Sequence, residues 1–135
     1  MRAVDTNILV RLLIGDDEAQ VAAAESFVAG GAWASHVVLV EAIWVLKSVY
    51  DVPQAQLMSA VEMLLDHDVV ALQDPDVVAA ALALFRTHPK LGFSDCLVLE
   101  IAKKAGHTPL GTFDRGLAKQ PGAERVLKGR QGGDE

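Results

Sequence analysis

Apolar and polar positions along this chain change period repeatedly, from short strand-like runs to longer stretches with helical spacing. Arg2 to Asp5 has the strand pattern, and Asn7 to Leu13 places apolar residues at helical spacing before Gly15 ends the run. Asp16 and Asp17 are N-cap residues for a second helix reaching Val28, which Gly30-Gly31 breaks. Ala32 to Ser35 predicts a strand and Val37 to Tyr50 a strongly apolar helix. Pro53 suits the first turn of a helix running to Leu65. Val69 to Leu72 predicts another strand. Asp74 as cap and Pro75 as first residue then open a helix to Phe85. Thr87 to Gly92 reads as a loop, Ser94 to Lys104 as a helix stopped by Gly106, and Thr108 to Thr112 as a strand. A helical turn at Asp114 to Lys119 and a last strand at Glu124 to Leu127 complete the pattern. Short strands separated by helices predict an α/β fold, a central parallel sheet flanked by helices on both faces. Ligands of such sheets sit at the carboxyl ends of the strands.

Composition narrows the class. A length of 135 residues predicts one domain, assigned to 1–128, with the Gly-rich segment 129–135 as a flexible tail. Apolar residues at 51% against 22% charged place the chain among folded globular proteins. The longest apolar run, Val77 to Phe85, is far short of the roughly 20 residues a membrane helix needs. Met1-Arg2 leads directly into Asp5 without an apolar h-region, so no secretory signal is expected and the cytoplasm is the expected compartment. A single cysteine, Cys96, excludes an internal disulfide framework and a Cys-based zinc site. With 12 Lys+Arg and 18 Asp+Glu the net charge is −6. That balance argues against a plain nucleic-acid coat protein. It leaves room for a nucleic-acid enzyme in which metal ions supply the positive charge.

Four acids stand out. Glu41 has apolar neighbours three and four residues away on both sides: Val37, Val38, Trp44 and Val45. Asp95 has Leu91, Gly92, Val98 and Leu99. Asp5 ends the first strand, and Asp114 follows Gly-Thr-Phe at the end of a later one. An unpaired buried carboxylate costs several kcal/mol, and no Lys or Arg lies three or four positions from Glu41 or Asp95. These acids therefore meet distant basic residues or a cation, and an all-oxygen set suits Mg²⁺ or Mn²⁺. The plainer alternatives are helix caps at Asp5 and Asp114, a shared cap at Ser94-Asp95, and a solvated Glu41. His36, His67, His88 and His107 lack metal-ligand spacing, Cys96 reads as a small buried residue, and Trp33 and Trp44 read as core or interface.

The stations Val4-Asp5-Thr6-Asn7-Ile8-Leu9-Val10, Glu41 within an apolar helix, Gly92-Phe93-Ser94-Asp95-Cys96-Leu97 and Gly111-Thr112-Phe113-Asp114-Arg115, in that order, resemble a PIN domain over about residues 2 to 127. More narrowly, the chain is similar to a VapC-type toxin, the ribonuclease of a bacterial toxin–antitoxin pair. The resemblance implies a three-layer PIN-like fold and metal-dependent hydrolysis of RNA phosphodiesters. It implies that Asp5, Glu41, Asp95 and Asp114 are the acidic quartet binding Mg²⁺ or Mn²⁺, supported by Asn7 and Thr112. Many members carry one more acid near the third or fourth station, where this chain has Gly92 and Gly116. The resemblance also implies a homodimer and a small VapB-like antitoxin. Residues Phe27, Val28, Leu57, Val61 and Leu64, on two amphipathic helices, are candidate antitoxin contacts, with core packing as the other use. Arg11, Lys90, Arg115 and Lys119 are candidate RNA phosphate contacts, with ordinary surface charge as the alternative.

Three other classes fit less well. A phospho-acceptor receiver domain needs an acid pair after the first strand, an acceptor Asp after the third and a Lys after the fifth. Only Asp5 follows the first strand here, and Val69 to Gln73 holds no Asp. A haloacid-dehalogenase-like phosphatase needs Asp-x-Asp, which Asp5-Thr6-Asn7 lacks. A PIN domain that binds RNA or a partner without cutting is opposed by the full quartet.

Overall fold

The computed structural model describes residues 1–128, so the expected tail at 129–135 lies outside the described residues. The order is β1 (Arg2–Ala3), α1 (Thr6–Leu13), α2 (Glu18–Val28), β2 (Ala32–Ala34), α3 (His36–Ser48), α4 (Gln54–Leu65) and β3 (Val70–Leu72). Then follow α5 (Pro75–Thr87), α6 (Phe93–Ala105), β4 (Leu110–Thr112), α7 (Arg115–Ala118) and β5 (Ala123–Arg125). Every strand pair is parallel, as helical crossovers require. β1, β2 and β3 pair in sequence order, with Ala3 opposite Trp33 and Trp33 opposite Ala71. β4 and β5 form a separate hydrogen-bonded pair, with Thr112 opposite Arg125.

Local chemistry sets the helix starts. Asp5, Asp17, Ser35 and Asp114 each accept a hydrogen bond from the backbone N–H three residues on, at 3.2, 3.1, 3.2 and 2.8 Å. Two expected caps differ. Asp16 does not cap α2, because Arg11 and Tyr50 hold its carboxylate. Asp74 precedes α5 but makes no cap bond. Its φ of 40° puts it in the left-handed region, and its carboxylate meets Lys104 instead. Ser94 and Asp95 do not share a cap either: α6 starts after Gly92 and has no side-chain cap. Gly106 ends α6 at φ 82°, a conformation that favours glycine.

The core gathers Leu9, Leu39, Leu46, Val61, Leu64, Val78, Leu97 and Leu99, all fully buried. α5 packs along α6, and Phe85 meets Phe93 edge to face with ring centroids 5.8 Å apart. α1 packs against α3. No charged residue is buried among the described residues. On α3 the buried residues are Leu39, Ala42, Ile43 and Leu46, one stripe at helical spacing. The opposite stripe, Val37, Glu41, Trp44 and Ser48, faces outward. Val28, Leu57, Val61 and Leu64, considered as antitoxin contacts, are core residues. Phe27 is half-buried beneath the Arg2 guanidinium, 3.6 Å from its ring centre.

Candidate active site

Asp5 and Asp114 stand where a strand gives way to a helix, Asp95 in the first turn of α6 and Glu41 near the middle of α3. Asp5 follows β1 and begins α1. Its Oδ1 accepts from Ile8 N, and its neighbours Asn7, Ile8 and Phe27 line a shallow cavity of about 380 Å³. Glu41 is six residues beyond the Ser35 cap, about 9 Å along α3. Its side chain is exposed, with Val37 (67% exposed) and Trp44 (63%) on the same outward stripe. The apolar setting read from sequence around Glu41 is therefore partly a surface, and its carboxylate is solvated.

The turn that begins α7 packs on the loop that begins α6. A methyl group placed on Gly116 would stand 3.3 Å from Asp114 Oδ1 and 3.3 Å from Leu91 Cδ2, and one on Gly92 would stand 3.5 Å from Asp95 Oδ2. A side chain at Gly116 would press on Asp114 Oδ1 and Leu91, whereas one at Gly92 would make only ordinary contact with Asp95. Asp114 is held twice: its N–H donates to Thr112 Oγ1 at 3.0 Å, and its Oδ1 accepts from Leu117 N. Asp95 is half-buried, yet no hydrogen bond or ion pair from a described residue reaches its carboxylate. The ion pairs among the described residues engage Asp16, Glu62, Asp74, Asp76 and Glu100, and none of the four acids. No group of three His, Cys, Asp or Glu stands in metal-holding arrangement among the described residues. Asp5, Glu41 and Asp114 are exposed to water, and Asp95 is half-buried.

The candidate RNA contacts separate into two kinds. Arg11 is already engaged: its guanidinium donates to Asp16 and, at 3.3 Å, to Tyr50, whose hydroxyl donates to Asp16 at 3.2 Å. The Tyr50 bond first, and Asp16 with it, raise the Arg11 pKa and fix its charge inside the fold. Lys90, Arg115 and Lys119 are exposed and enter no ion pair with a described residue. Lys47, which sequence reasoning passed over, lines a cavity with Lys90. Its signal was its place on α3, one turn beyond Trp44. Cys96 is fully buried, and burial, with Asp95 and Glu100 adding, pushes its thiol up to about 11, so it stays protonated and inert near neutral pH.

The PIN-domain family model matches residues 2–123. The chain belongs to the PIN-domain family. No curated protein matches it. PIN domains are generally nucleases, and this one has the family's mixed α/β architecture of helices around parallel strands. All four acidic stations fall inside the matched span.

Proposed function

We propose that this PIN domain is a Mg²⁺- or Mn²⁺-dependent endoribonuclease and the VapC-type toxin of a toxin–antitoxin pair. The observation that carries the reading is Asp95: a half-buried carboxylate with no partner among the described residues, on the helix whose leading loop meets, at Leu91, Gly116 in the turn after Asp114. A half-buried charge left unpaired costs free energy that a cation would offset. The donor chemistry fits. The set is all carboxylate oxygen, none of it spent on a lysine or arginine among the described residues, and a hard divalent ion takes such ligands. Asp5, Asp95 and Asp114 would hold the ion, with Glu41 completing its surroundings or orienting water.

A divalent ion held by these carboxylates would supply water of lowered pKa and would stabilise charge on the phosphoryl oxygens. The chain's own residues do the remaining work. Thr112 fixes the backbone of Asp114, and the cap bonds at Asp5 and Asp114 hold one oxygen of each carboxylate while leaving the other free. Asn7 stands beside Asp5 to steady that end. Lys90, Arg115 and Lys119 bind the backbone phosphates and offset the charge of an acidic chain. A VapB-like antitoxin and a homodimer are the partners in this reading, and the cytoplasm is the compartment. No helix among the described residues is long and apolar enough to cross a membrane.

The test is cleavage of structured RNAs by the purified chain with Mg²⁺ or Mn²⁺, with and without EDTA. EDTA is expected to abolish cleavage, and Asp5→Asn and Asp95→Asn to reduce it at least about a hundredfold. Cleavage indifferent to the chelator and to both substitutions removes the reading. A small antitoxin reading frame beside this one supports the toxin role, and its absence counts against it.

A further inference from the structure

The inference that follows rests on the nuclease reading and concerns how the substrate strand is held. A cavity of about 300 Å³ opens between α3, the start of α4 and the loop leading into α6. Its floor includes the buried Phe85–Phe93 pair, and its wall carries the exposed indole of Trp44. The side-chain amide of Gln54 donates to the Pro89 carbonyl and ties α4 to the cavity's lip. Gly92 and Ser94 line the far end, and these are the residues that flank the Asp95 carboxylate. The cavity therefore runs up to the candidate active site.

Its charge is unusual for this molecule. The chain carries net −6, yet the charged residues lining this cavity are Lys47 and Lys90, with no Asp or Glu among them. Neither lysine enters an ion pair with a described residue. An apolar wall by itself would suit many occupants. An aromatic face lining one cavity with two cations, beside the Asp95 loop, suits a planar ring attached to an anionic backbone. The volume is at the low end for small-ligand sites, room for one nucleoside and too little for a protein helix.

We propose that this cavity binds an unpaired nucleobase of the RNA strand. The base stacks on Trp44, the flanking phosphates lie on Lys47 and Lys90, and the strand passes Gly92 towards Asp95 and Asp114.

The test measures binding of a labelled single-stranded RNA dodecamer to the full chain in EDTA, so that no bond is cut. Trp44→Ala is expected to weaken binding about tenfold, the effect of losing one stacked base, and Trp44→Phe to restore most of it. Lys47→Gln and Lys90→Gln are each expected to flatten the salt dependence by about 0.7 in log–log slope. In NMR titrations, the four nucleoside 5′-monophosphates should shift the Trp44 indole N–H resonance while ribose 5-phosphate does not. Tight RNA binding that Trp44→Ala leaves unchanged overturns the base pocket, while metal-dependent cleavage by the same preparation leaves the nuclease reading standing. Failure of the native chain to bind the dodecamer or cleave any RNA overturns both. If Trp44→Ala instead dissociates a dimer with RNA affinity intact, the cavity is a protein interface and the proposal fails.

Discussion

Arg11 shows how one side chain changes meaning once its neighbours are known. From sequence it follows the first motif and invites a phosphate. In the fold, Asp16 arrives from the next loop and Tyr50 from the end of α3, and both claim the guanidinium. Its Nε is buried with no hydrogen-bond partner among the described residues. Arg11→Met is therefore expected to lower Tm by several degrees and leave RNA affinity within about twofold of the native value. Arg115→Gln is expected to leave Tm unchanged and flatten the salt slope of binding by about one phosphate contact. Thermal melts and fluorescence anisotropy on both variants decide the matter, and an RNA defect in Arg11→Met contradicts it. The partners of Arg11 were invisible in the sequence because Tyr50 is 39 residues away. The capping roles of Asp5 and Asp114 were legible, because an Asp after a strand finds a backbone N–H within three residues.

Elements reveal a different limit. α3 reads as apolar all round, so its sequence fixes that it is a helix and not which stripe it buries. Leu39, Ala42, Ile43 and Leu46 go inward, and that choice leaves Glu41 in solvent beside Trp44. The contact between α5 and α6 was equally hidden, since the sequence offered Asp74 as a cap and the fold uses it on Lys104 at 3.4 Å, with Asp76 at 2.9 Å. The hydrogen bond from Lys104 holds the Asp76 carboxyl below its ordinary 3.8, and Asp76 in turn raises the Lys104 pKa above 10.5. A depressed carboxylate adds stability that is present above its ordinary pKa and lost as pH falls through the folded value. A raised ammonium adds stability that is present below its ordinary pKa and lost as pH rises through the folded value. Lys104→Met should therefore lower Tm modestly at pH 7, and the difference from the native chain should shrink towards both acid and alkaline extremes. A Tm difference independent of pH contradicts this account of the link between α5 and α6.

At the scale of the whole molecule, alternating strand and helix signals were enough to predict parallel strands with helical crossovers, and the ends of most elements fall within two residues of the pattern's boundaries. The division of the strands into a three-stranded and a two-stranded set was not legible, since pairing partners depend on packing between distant segments. The site shares that character. Its four acids could be named from their order along the chain, whereas the contact of Gly116, in the turn after Asp114, with Leu91, in the loop before α6, depends on packing between distant segments. The central claim is that a divalent cation draws these carboxylates together. Anomalous scattering from crystals of the chain grown with Mn²⁺ measures this directly. A manganese peak at coordination distance from carboxylate oxygens of Asp5, Asp95 and Asp114 is the expected result. A map with no peak there, or with manganese bound only at surface acids such as Asp74 and Asp76, contradicts it.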